Sequence, residues 1–142
     1  MWGVIFNLQI SKSVYDAMIN HSKKGYPNEA CGILAGPPTK SDGSTRFFPM
    51  RNMDESSISY FMDPKEQLAI FKKMRETKLE MTGIFHSHVA SVAYPSQKDV
   101  RLAFYPEVSY LIASLSDMEK PVLRSFKIEK EIVTEEEIKI VS

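Results

Sequence analysis

The stretch Met81-Thr82-Gly83-Ile84-Phe85-His86-Ser87-His88, continued by residues 89–95 and then Ser96-Gln97-Lys98-Asp99, decides how this chain of 142 residues is read. Its first eight residues predict a strand, residues 89–95 a loop, and Ser96 onward a short helix stopped before Pro106. Residues i and i+2 of a strand share a face, so His86 and His88 project into one small volume, as ligands of a divalent metal do. The same spacing also fits a pair of half-exposed histidines at a strand end. Ser96-x-x-Asp99 has two readings as well. It matches a capping box, with Ser96 at N-cap and Asp99 at N3, although Asp reaches back less easily than Glu or Gln. Held near the histidine pair by a short loop, Asp99 is equally suited to be a third ligand. Two neutral imidazoles and one carboxylate suit Zn²⁺ and leave its fourth position for water, the ligand count of a catalytic site.

Upstream, Asp63 before Pro64 and three residues ahead of Glu66 predicts a capped helix with a capping box, and Leu68, Phe71 and Met74 form its inward stripe. Arg46–Met50 and Ser57–Met62 are candidate strands, and Thr39–Thr45 is the expected hairpin tip after a buried strand from Ala30 to Gly36. The chain starts with alternating Val4, Phe6, Leu8 and Ile10. A helix follows, capped by Ser11 or Ser13, carrying Val14, Tyr15, Met18 and Ile19 on one face and ended by Gly25 and Pro27. Downstream, Val108–Leu115, Val122–Ile128 and Ile132–Val141 read as strands. The order β-α-β-β-β-α-β-α-β-β-β predicts one mixed α/β domain over residues 1–142, with helices flanking a single curved sheet.

Glu29 lies where the first helix meets the short buried strand, in Asn-Glu-Ala-Cys-Gly. Taken alone it reads as a surface glutamate in a loop. Beside a metal it is the natural base for an activated water.

Composition narrows the function. The 18 basic and 18 acidic residues are scattered and cancel, which argues against a nucleic-acid or anionic-membrane binder. Residues 129–142 hold five Glu against two Lys and read as a solvated edge strand. At this length a chain buries roughly 70% of its unfolded surface, so no structural metal is needed for a core. One cysteine, Cys31, excludes a disulfide framework and a CxxC zinc site, and it reads as a small buried residue. The N-terminal MWGVIFNLQI carries no basic leader and too short an apolar run to cross a membrane, so a soluble cytoplasmic protein is expected. Three alternatives for the histidine pair fail. An amidohydrolase barrel needs about 250 residues, a nucleoside deaminase needs Pro-Cys-x-x-Cys, and no His-Glu-x-x-His is present.

Taken together, Glu29, His86-Ser87-His88, seven further residues, Ser96, two more and Asp99 resemble the signature of the JAMM metalloproteases, the catalytic branch of the MPN-domain family. The likeness covers essentially the whole chain. It implies a JAMM/MPN (cytidine-deaminase-like) core, with His86, His88 and Asp99 as ligands of Zn²⁺, Glu29 as general base and then proton donor to the leaving amine, and Ser96 as hydroxyl donor to the oxyanion. Ser87 falls on the opposite strand face and is expected to pack or support. In small prokaryotic members proline commonly follows the second histidine. Val89 stands there here and leaves residues 89–95 without that stiffening.

The family resemblance further implies cleavage of a peptide or isopeptide bond after the Gly-Gly tail of a ubiquitin-like or sulfur-carrier β-grasp protein. The tail is expected to lie extended against a sheet edge, with loops 36–46 and 89–95 selecting the substrate. Two other functions are compatible with the same residues: a noncatalytic MPN scaffold that holds a partner, and a zinc hydrolase of a small amide. The oligomeric state is open, a homodimer included.

Overall fold

The computed structural model describes residues 7–38 and 45–141. Seven strands and three helices follow one another as β1 (Asn7–Ser11), α1 (Lys12–Gly25), β2 (Cys31–Gly36), β3 (Arg46–Met50), α2 (Pro64–Glu76), β4 (Glu80–His88), α3 (Gln97–Arg101), β5 (Ser109–Ser114), β6 (Val122–Glu129) and β7 (Ile132–Val141). They form one curled mixed sheet in the order β1-β7-β6-β5-β4-β2-β3. β1 with β7 and β4 with β5 run parallel, and every other neighbouring pair is antiparallel. β2 and β5 are buried along their whole length, which is why both read as unbroken apolar runs rather than alternating ones.

The two faces of the sheet are covered differently. On one, Leu34, Phe85, Leu111 and Ala113 pack under Val14, Met18 and Ile19 of α1. On the other, Cys31, Ile33 and Ala35 pack under Met74 of α2, with Ile70 and Phe71 beside it, while Tyr110, Ile112 and Phe126 pack with Ala93 and Val100 around α3. Strand alternation therefore sends Phe85 to the α1 face and its neighbour His86 to the α2/α3 face. Gly32 lets β3 cross close to β2, since a Cβ there would stand 2.7 Å from the Phe48 carbonyl oxygen.

α1 begins as expected: the Ser11 hydroxyl accepts from Val14 N at 3.2 Å. At α2 the capping signal is met only in part. Asp63 accepts from Lys65 N and Pro64 opens α2, but Glu66 does not close a capping box. Its carboxylate instead accepts from Arg51 N at 2.8 Å and tethers the preceding loop. Leu68 is 67% exposed, so the inward stripe of α2 runs through Ile70, Phe71 and Met74.

Ser57–Met62 is not a strand; it touches other backbone only through an isolated bridge between Asn52 and Met62. One of its carbonyls and one of its N–H groups, Ser59 O and Phe61 N, are claimed instead by the Asn52 side chain. The acidic β7 is not an edge strand, because β1 lies parallel along its outer side. Its charges are absorbed locally: Glu135 pairs with Arg124, and buried Glu136 accepts from the Ser125 hydroxyl at 2.8 Å. β2 and β3 pair antiparallel, but residues 39–44 of the predicted hairpin tip Thr39–Thr45 and the first strand residues, 4–6, lie outside the described residues. Among the described residues no helix is long and apolar enough to cross a membrane.

Candidate metal centre

The C-terminal end of β4 and the first turn of α3 bring three donor atoms together. His86 Nε2 and His88 Nε2 stand 3.1 Å apart, and Asp99 Oδ2 is 3.2 Å from the first and 3.1 Å from the second. Tetrahedral zinc bonds of about 2.0–2.1 Å separate neighbouring donors by about 3.3–3.4 Å, so this triangle fits the ion. The donor chemistry fits it as well. His88 Nδ1 donates to the Val92 carbonyl at 2.8 Å, and because a carbonyl only accepts, the neutral ring must turn a lone pair inward at Nε2. An imidazole lone pair and a carboxylate oxygen converge with the second ring nitrogen on a point that calls for a cation.

The electrostatics point the same way. Burial would raise the Asp99 carboxyl, yet the two imidazoles and the Ser96 N–H outweigh it and hold the group well below the usual carboxylate range. Burial pushes His86 below its ordinary value. For His88 the Asp99 hydrogen bond and the Val92 carbonyl outweigh burial and raise it. A carboxylate that stays ionised between two imidazoles favours any cation there, a proton or a metal.

The capping-box reading of Ser96-x-x-Asp99 holds, and it leaves Asp99 beside the histidine pair. The Ser96 hydroxyl accepts from Asp99 N at 3.0 Å, and Asp99 Oδ2 accepts from Ser96 N at 2.9 Å, which completes the capping box. The oxygen that caps α3 is the one aimed at the histidines. Because the Ser96 oxygen accepts within the box, its own proton is left to donate outward.

Glu29 reaches the site through sheet register. Cys31 pairs with His86, and the Ser87 N–H donates to the Ala30 carbonyl at 2.9 Å, so the same ladder carries Glu29 opposite His88. Ser87, on the other face, locks this register by accepting from Ala30 N at 2.8 Å. Glu29 is 7% exposed. Burial pushes its carboxyl up to about 7, against the pull of His88 and with Asp99 adding to the rise. A carboxylate poised there is suited to proton transfer. Cys31 is wholly buried and its thiol is pushed up to about 12 by burial and the nearby Glu66 and Glu29, so it is no nucleophile at neutral pH.

Several residues around the centre have no sequence signal of their own. The Tyr60 ring stacks on His86 with centroids 4.7 Å apart and planes at 24°. From there a groove of about 350 Å³ extends between residues 58–62 and residues 102–105, with His86 and Asp99 on its wall. Ile58, Phe61, Leu102, Phe104 and Tyr105 line it while exposed to solvent. The groove thus sets an exposed apolar surface directly beside the polar centre. Loop 89–95 is anchored despite Val89: the Ser91 carbonyl accepts from Ser114, Val92 holds His88, and Ala93 is buried. Loop 36–46 lies largely outside the described residues. His21, the remaining histidine, bonds the Cys31 and Met50 carbonyls and joins α1 to β2 and β3.

Comparison with known proteins agrees with this arrangement. Residues 11–129 match the model of the prokaryotic homologs of the JAB domain. The chain is 39% identical over 139 residues to the CysO-cysteine peptidase of Mycobacterium tuberculosis, covering 98% of this chain and 94% of that one. It is 30% identical over 112 residues to a desampylase of Haloferax volcanii, covering 75% of this chain and 80% of the other. A solution structure of a Desulfitobacterium hafniense protein superposes with a TM-score of 0.83 at 44% identity, over 96% of this chain and 93% of that one. The chain belongs to the prokaryotic JAB-domain family, a JAMM-type member of the JAB/MPN fold.

Proposed function

We propose that this protein is a zinc-dependent peptidase that hydrolyses a peptide or isopeptide bond after the Gly-Gly tail of a ubiquitin-like or sulfur-carrier β-grasp protein. The observation that carries the reading is the convergence of His86, His88 and Asp99 on one point beside the buried Glu29. The names of its relatives, a CysO-cysteine peptidase and a desampylase, support a conjugate of a small protein as substrate.

In this reading His86 Nε2, His88 Nε2 and Asp99 Oδ2 hold the zinc. A bound zinc ion supplies Lewis-acid activation of water and of the scissile carbonyl. Glu29 takes a proton from the water as its oxygen bonds the scissile carbonyl carbon, and as the C–N bond then breaks Glu29 returns that proton to the leaving amine nitrogen. Ser96 donates its free hydroxyl proton to the carbonyl oxygen as negative charge develops on it. The apolar groove along residues 58–62 and 102–105 takes the carrier beside the centre. Its tail has to be extended and narrow to reach the buried histidines, which is what a Gly-Gly terminus provides.

Metal analysis of the purified protein, followed by incubation with a Gly-Gly-linked carrier fusion, tests this. Stoichiometric zinc and cleavage after the second glycine, abolished by a chelator, are expected. Cleavage that survives full chelation, or tight carrier binding with no turnover in the zinc-loaded protein, overturns it. For Ser96→Ala, a drop in kcat of about 10²–10³-fold is expected from loss of one oxyanion donor. Its zinc content should stay unchanged, since Ser96 Oγ contacts Asp99 N rather than the donor atoms.

A further inference from the structure

We propose that Asn52 is a positioning residue that holds Glu29 and the wall of the substrate groove as one unit. The inference rests on the reading of Glu29 as the base. Asn52 uses all of its hydrogen-bonding capacity. Its Nδ2 donates to the carbonyls of Glu29 at 2.9 Å and Ser59 at 3.0 Å, while its Oδ1 accepts from Asp54 N and Phe61 N, each at 3.0 Å. Two partners only accept and two only donate, so the amide can stand in one orientation alone.

Glu29 has little else to orient it. Among the described residues no group hydrogen-bonds its carboxylate. Its backbone is instead held at both ends by one loop, the carbonyl by Asn52 and the N–H by Ser56 O at 2.8 Å. That loop carries Tyr60, stacked on His86, and Ile58 and Phe61 on the groove. The Asn52 side chain is therefore the junction between the proton-transfer group and the surface that receives the carrier. A movement of the groove wall is transmitted to Glu29 through two hydrogen bonds to the same amide.

Two substitutions separate the two halves of the junction. Asn52→Asp keeps acceptors for Asp54 N and Phe61 N but sets a carboxylate against the Glu29 and Ser59 carbonyls. Asn52→Ala removes both halves. By hydrogen exchange of the metal-free proteins, the Glu29 amide is expected to exchange at least about tenfold faster in both variants, and the Asp54 and Phe61 amides only in Asn52→Ala. Amides of β4 and β5 should keep their protection.

In the zinc-loaded proteins, kcat for the Gly-Gly fusion should fall about 100-fold in Asn52→Asp, with KM changed less than about threefold, and Asn52→Ala should raise KM as well. Thr77→Ala, which loses only hydroxyl bonds to carbonyls at the end of α2 and does not line the groove, serves as the control and should stay within about twofold of the parent. An unchanged Glu29 amide in Asn52→Asp overturns the proposal, as does a loss of protection spread evenly over the sheet or an unchanged kcat. Glu29→Gln assayed in parallel separates the two failures. If it still cleaves, the assignment of Glu29 as base is wrong, and the exchange rates still decide whether Asn52 holds this junction.

Discussion

Glu29→Gln is expected to lower kcat on a Gly-Gly-linked carrier fusion by about 10²–10⁴-fold, the worth of a well-placed general base, while the protein still binds zinc stoichiometrically. The amide is isosteric and cannot accept the proton, and the three donor atoms belong to β4 and α3 rather than to the segment bearing Glu29. The pH profile carries the same assignment. Burial pushes the Glu29 carboxyl from 4.5 to about 7, and a bound cation draws it back down. The group works only when ionised, so activity falls as pH drops, with a midpoint expected between those two values.

Stability gives an independent check, with the opposite benefit. A carboxyl whose folded pKa is raised binds a proton in the folded state that the unfolded state releases, so stability is lost as pH rises from 4.5 through about 7. With Glu29 only 7% exposed, the full loss is about 3 kcal/mol. Metal-free Glu29→Gln should therefore melt above the metal-free parent at pH 8, and the gain should vanish near pH 4.5. Thermal melts in chelator at the two pH values measure it. Equal melting at pH 8 would mean that Glu29 is not buried as a charge. The residue is thus a cost to the fold that only the function explains.

The sequence was most legible where the local signal and the tertiary environment agreed. Ser11, Asp63 and Ser96 do cap helices, and the runs at Cys31–Gly36 and Ser109–Ser114 are buried strands because α1 packs on one face of the sheet and residues of α2 and around α3 on the other. His86 and His88 were paired correctly because strand alternation is a property of the backbone and needs no partner. Misreadings arose where a side chain from elsewhere took over. Ile58, Tyr60 and Met62 recur at period two, like a strand, but Asn52 takes up the backbone groups a neighbouring strand would have used. Glu66 has the spacing of a box partner and bonds Arg51 N instead.

Two misses have a different cause. The Val92 carbonyl that fixes the His88 tautomer is a backbone atom, invisible to any reading by residue type. The interior place of β7 in the sheet depends on the N-terminal strand pairing in parallel with the last one, a long-range contact that no local pattern encodes. The groove shows the same limit. Residues 58–62 and 102–105 are far apart in sequence, and only the folded chain brings them to the two sides of one groove.

Asp99→Asn is the second substitution with a large expected effect, and it separates the two duties of one oxygen. An asparagine carbonyl can still accept from Ser96 N, so the first turn of α3 should keep its cap. What is lost is the charge between His86 and His88, at 3.2 and 3.1 Å. Zinc affinity is expected to fall by more than the roughly 10–100-fold typical of a supporting residue, because a ligand itself is altered. Cleavage should be lost at limiting zinc and recover in part at high zinc. Asp99→Ala removes the cap as well, at a further cost of about 1 kcal/mol in stability. Competition with a zinc chelator measures the first quantity and denaturant unfolding of the metal-free proteins the second. If Asp99→Asn and Asp99→Ala bind zinc as tightly as the parent and differ only in stability, Asp99 is a helix cap and nothing more. If both lose zinc but only the alanine variant loses stability, one carboxylate oxygen serves both the helix and the metal, and the capping box is the device that aims it.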